Sequence, residues 1–93
     1  MTDWIYAQSQ PSDELARLHY FSVKKKETGG DVEFVITVKE FAERNTQRMR
    51  FFAQADKQTN QKTAPYTPCG WGETLLVALS ECIRAIHRFP YEG

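Results

Sequence analysis

The residues best equipped for chemistry are Cys69, Cys82, His19 and His87, with the glycine-rich segment Gly70-Trp71-Gly72-Glu73-Thr74. A thiol just ahead of a helix can be driven toward the nucleophilic thiolate, but it also needs a base and a group to orient that base. His87 lies several helical turns beyond Cys69 and His19 falls in the first predicted strand, so spacing alone puts neither beside the thiol. A cysteine–histidine enzyme would require a cleft shared by Cys69, Tyr66 and His87. As metal ligands the four lack any paired spacing, and Cys82 belongs to the apolar side of a helix. The glycine segment could aim backbone N–H groups at an anion, yet a phosphate loop ends in Gly-Lys-Ser/Thr and Glu73 would repel the ligand. It reads as a tight entry into a helix with Thr74 as cap. No catalytic residue, metal or cofactor is expected.

The elements follow from periodicity. Residues 1–14, with Trp4, Tyr6 and Pro11, form an N-terminal arm, and residues 15–93 form a single domain. Arg17 to Lys26 is a first strand, Glu27-Thr28-Gly29-Gly30-Asp31 a hairpin turn, and Asp31 to Arg44 a second strand. In the second strand Val32, Phe34, Ile36 and Val38 alternate with Glu33, Val35, Thr37 and Lys39, which places the first set inward. Asn45 is the expected left-handed residue of the next reversal, and Gln47 to Lys57 is a third strand with small Ala53 and Ala55 facing a helix. A polar loop then leads through Pro65 and Pro68 to one long helix, Pro68 to Phe89, whose apolar half includes Leu75, Leu76, Ala78, Leu79, Cys82, Ile83, Ala85, Ile86 and Phe89. The predicted fold is α+β: a three-stranded antiparallel meander with one C-terminal helix packed on one face, β-β-β-α.

Composition fits one small domain: 93 residues, 41% hydrophobic, 26% charged, with twelve basic side chains balanced by twelve acidic ones. A net charge of zero supplies no field to gather nucleic acid or an anionic membrane. No apolar run is long enough to span a bilayer, and the first residues lack the pattern of a signal peptide, so a cytoplasmic protein without a membrane partner is expected. No disulfide is expected between Cys69 and a helix-buried Cys82.

The helix start has two family likenesses. Gly70-x-Gly72-x-Thr74, followed by Ala78, Cys82, Ile83 and Ile86, resembles the last motif of double-stranded-RNA-binding domains, which also place three strands before their final helix. That family sets lysines at the helix N-terminus, where this chain has Leu75, Leu76 and Leu79. Gly72-Glu73-Thr74-Leu75, then Ala78-Leu79 and Ala85-Ile86, resembles HicB-like antitoxin domains, with Leu76-Val77 standing where those have acidic residues. Both likenesses imply a strands-then-helix fold more directly than a function.

A sheet with a helix on one side has a second side. Glu33, Val35, Thr37, Lys39 and Phe41 point there, joined by Arg48, Arg50, Phe52 and one parity of the first strand, either Tyr20 with Lys24 or Phe21 with Val23. Aromatic and arginine side chains on an exposed face are what interfaces enrich. The expected function is therefore a non-enzymatic protein-interaction module, self-associating as a homo-oligomer or binding another protein. Its surface would comprise Trp4, Tyr6, Val35, Thr37, Lys39, Arg48, Arg50 and Phe52. The alternative is nucleic-acid binding through the basic residues of the third strand and the loop after it, Arg44, Arg48, Arg50, Lys57 and Lys62.

Overall fold

The computed structural model describes residues 3–10, 12–42 and 49–93. A short 3-10 helix, Asp3–Ala7, lies in the N-terminal arm. The domain follows as β1 (Ala16–Glu27), β2 (Gly30–Phe41), β3 (Phe51–Ala55), β4 (Cys69–Gly72) and the helix α1 (Leu75–Ile86). The strands make one antiparallel sheet in the order β1-β2-β3-β4. The fold is thus mixed α+β with a C-terminal helix against the sheet, but with four strands where the sequence suggests three.

The longest element is the β1–β2 hairpin, paired from Ala16 opposite Phe41 to Glu27 opposite Gly30. Thr28 and Gly29 make its turn, and Gly30 leaves it at φ 127°, a conformation that disfavours any side chain. Val32, Phe34, Ile36 and Val38 face inward as their alternation requires, and the last three are fully buried. Opposite them Phe21, Val23 and Lys25 share that face, so the outward parity of β1 is the one carrying Tyr20 and Lys24.

The fourth strand corrects the predicted helix. Cys69 to Gly72 pairs with Phe51–Gln54, and the chain turns at Glu73-Thr74 to lay α1 back across β4, β3 and the margin of β2. Gly70 and Gly72 occupy the inward positions of β4 and permit this contact. A Cβ on Gly70 would lie 2.7 Å from the Ala78 carbonyl oxygen, and one on Gly72 would lie 2.6 Å from the Ala78 nitrogen. Thr74 caps the helix as its type suggests, its Oγ1 accepting the Val77 N–H at 3.2 Å. Ala78, Cys82, Ala85 and Ile86 are buried. Leu76, placed on the apolar half by periodicity, is 72% exposed, because the close glycine contact centres the packing on the alanine side of the helix.

The third strand is also shorter than its pattern implies, and just past its end the pairing with β2 is completed by the backbone and side chain of Asp56. Asp56 donates its N–H to the Val35 carbonyl and accepts the Val35 N–H on Oδ1, both at 3.0 Å. The polar loop that follows is anchored to the C-terminal tail. Thr59 and Tyr66 bridge each other, and Asn60, at φ 54°, donates its N–H to Pro90 O at 2.8 Å. Glu92 accepts the Lys62 N–H at 2.7 Å and donates its own N–H to Gln61 Oε1 at 2.8 Å, while Tyr66 meets Phe89 edge-on at 5.2 Å. Asn45, the expected reversal, lies outside the described residues.

Candidate interaction surface

Pairing fixes which side chains share the face opposite the helix. In an antiparallel sheet, directly opposed residues point to the same side. Leu18 stands opposite Lys39, and Lys39 opposite Phe52; Tyr20 stands opposite Thr37, Ser22 opposite Val35, and Phe52 opposite Trp71. Each row therefore carries an apolar or aromatic group across the outer face.

The densest part is an aromatic cluster at the β4 end. Trp71 stacks on Phe41, with ring centroids 6.1 Å apart and planes 18° apart, and tilts against Phe52 at 4.6 Å. Such pairs contribute about 1 kcal/mol beyond the area they cover. The Trp71 side still open to solvent amounts to 43% of the residue, and Tyr20 along the face is 64% exposed. Sequence reasoning missed Trp71 because it counted the residue into the helix start. The signal was there as a period of two, Gly70 and Gly72 inward against Cys69 and Trp71 outward.

Among the expected surface residues, Val35, Thr37, Lys39 and Phe52 share this face, with Val35 and Lys39 exposed. Arg50 is half-buried, and its Nε donates to the Phe41 carbonyl at 2.9 Å. It therefore closes the aromatic end rather than projecting from it. In the arm, Tyr6 is fully presented to solvent, whereas Trp4 is half-buried and its indole N–H is buried with no acceptor. Arg44 and Arg48 lie outside the described residues.

The cations proposed for nucleic acid do not converge. Lys57 donates to the Glu33 carbonyl at 2.7 Å and pairs with Asp56 at 3.1 Å. Lys62 is exposed in the loop that docks on the C-terminal tail, its N–H held by Glu92. With Arg50 committed to Phe41 O, the described members of the set give three separate positions and no stripe.

The chemically equipped residues are dispersed too. Cys69 is exposed and alternates with Gly70, which touches the helix, so the sheet stands between its thiol and His87 at the helix end. Cys82 is a free thiol in the core, bonded to Pro68 O at 3.7 Å, and burial pushes its pKa up to about 12. His19 pairs with Glu40 at 2.9 Å. Among the described residues no group of three or more His, Cys, Asp and Glu could hold a metal ion, and no helix is long and apolar enough to cross a membrane. Compared with known proteins, the chain matches no family model, no curated protein and no solved structure.

Proposed function

We propose that the chain is a non-enzymatic protein-interaction module that self-associates through the outer face of its sheet. The observation that carries this reading is the Trp71 cluster: an indole braced by Phe41 and Phe52, yet 43% exposed on a face that also presents Tyr20 and Val35. A rigid aromatic anchor in a mixed polar surround is the composition of an interface hot spot, because it buries much area on contact and loses little side-chain freedom. Two such faces packed sheet on sheet would interdigitate across about 10 Å. Zero net charge opposes neither copy. Tyr6 of the arm adds a third exposed aromatic group to the reading.

Sedimentation velocity over a wide concentration range tests it. The chain is expected to associate reversibly, and Trp71→Ser to weaken the face contact by about tenfold or more. A chain that stays monomeric at the highest concentration, or an association indifferent to Trp71→Ser, overturns the proposal.

A further inference from the structure

The two edges of the sheet are not alike. β4 is four residues long and half glycine, and an edge so short gives another strand little to pair with. β1 is twelve residues long and, among the described residues, has no strand beyond it. The ladder shows which of its backbone groups face that open side. Val35 gives both its N–H and its carbonyl to Asp56 on the β3 side, so it is turned away from β1. Ser22, directly opposite Val35, is by the same alternation turned away from β2. Leu18, Tyr20, Ser22 and Lys24 therefore direct their N–H and C=O groups to the free edge while their side chains lie on the outer face.

Native sheets guard such edges with inward charges, prolines or bulges. On β1 the inward Lys25 and its neighbours Lys24 and Lys26 guard only the turn end. The run from Leu18 to Val23 carries no proline and no Asp, Glu, Lys or Arg, and its outward Leu18 and Tyr20 are 45% and 64% exposed.

We infer that β1 pairs with β1 of a second copy, antiparallel about a two-fold axis at His19, to make one continuous eight-stranded sheet. Charge complementarity selects a second copy as the occupant. β1 is preceded by the exposed Asp13-Glu14 and ends in the exposed Lys24 and Lys26, so antiparallel pairing sets the acidic flank of each copy against the basic end of the other. In this register Leu18 meets Tyr20 of the second copy twice, and Glu14 meets Lys24 twice. The even-numbered residues from Ala16 to Ser22 would exchange about eight backbone hydrogen bonds. Both helices stay on one side, and the two outer faces become neighbours on the other. The interface rests on the edge and not on the Trp71 cluster, so it stands whether or not the outer faces also associate.

Cross-linking and sedimentation test it. At the axis the two His19 form a non-hydrogen-bonded pair with Cα atoms about 4.5 Å apart, within disulfide reach. In a Cys69→Ser background, His19→Cys is expected to oxidise to a covalent dimer, and Ser22→Cys, whose two copies lie far apart along the strand, is not. In a Trp71→Ser background, which weakens the outer-face contact, a dimer should persist and Ser22→Pro should abolish it, since that proline removes an edge N–H and no internal one. Glu14→Lys should weaken the dimer by about tenfold, and Glu14→Lys with Lys24→Glu should restore it. A monomer in the Trp71→Ser background, equal cross-linking at Ser22→Cys, or failure of the charge swap overturns the edge pairing. If instead the wild type and Trp71→Ser form the same dimer, the outer-face reading alone fails.

Discussion

Lys25 occupies the position where a charge would cost most, inward on the sheet and almost wholly buried. It is held there by the end of the helix. Its Nζ donates to Ile86 O at 3.1 Å and Phe89 O at 2.8 Å and pairs with Glu27 at 2.8 Å. The Ile86 carbonyl is one of those a helix leaves without partners, at the negative end of its dipole, and Phe89 lies in the turn just beyond. Nothing in Lys24-Lys25-Lys26 distinguishes the middle lysine from a solvated run, because the carbonyls that hold it are some sixty residues away in sequence. Lys25→Met should lower stability by about 3 kcal/mol in urea denaturation, since it strands the buried Ile86 carbonyl, the part-buried Phe89 carbonyl and Glu27. The Lys25 hydrogen bond, then the Tyr91 N–H, hold the Glu27 carboxyl below its ordinary 4.5. A lowered carboxylate stabilises the fold above its unfolded value and loses that contribution as pH falls through the folded one. Glu27→Gln should therefore cost stability at pH 7 and cost progressively less below about pH 4.5; a penalty unchanged at pH 3 would show that the charge is not its cause.

Among the elements, those with a local signature were legible and the one defined by its neighbours was not. The β1–β2 hairpin is written in Glu27-Thr28-Gly29-Gly30-Asp31 and in the alternation of Val32 to Lys39, and the helix cap is written in Thr74. β4 has four residues, too few for a period to stand out, and its glycines read equally well as a helix entry. They are there because α1 packs directly on them. Gly70→Ala should destabilise by about 2 kcal/mol or more, because its methyl would sit 2.7 Å from Ala78 O and 2.8 Å from Cys82 N, both backbone atoms that move only with the helix. Gly29→Ala, with no atom within 4 Å of the added carbon, should change stability by less than about 0.5 kcal/mol. Thermal unfolding of the pair reads this out, and equal costs would mean that β4 and α1 are not in close contact.

At the scale of the molecule the long hairpin sets the shape, 47 × 25 × 18 Å, and creates a problem the other elements do not solve. β3 pairs only with Ile36 to Glu40 of β2, so the turn half of the hairpin has no strand beside it. The chain closes that half with its C-terminal tail. Tyr91 meets Phe34 edge-on at 6.0 Å, its N–H binds Glu27 at 3.0 Å, and Pro90 and Glu92 hold the loop carrying Thr59 to Tyr66. A sequence reading leaves Tyr91-Glu92-Gly93 as a short tail, because no periodicity marks three residues whose role is to cover a distant strand. The tail and loop thus form a second unit of stability, coupled to the sheet through Phe34, Glu27, Lys25 and the Lys57–Glu33 bond. Tyr91→Ala should speed amide exchange in residues 23–34 and 59–66 well before it affects the amides of Ile36, Val38 and Ala53, which pair with β1 and β4 beneath α1. Hydrogen exchange resolved by residue distinguishes the outcomes. A uniform acceleration across the domain would mean that the hairpin's turn half and the β3–β4–helix core open as one.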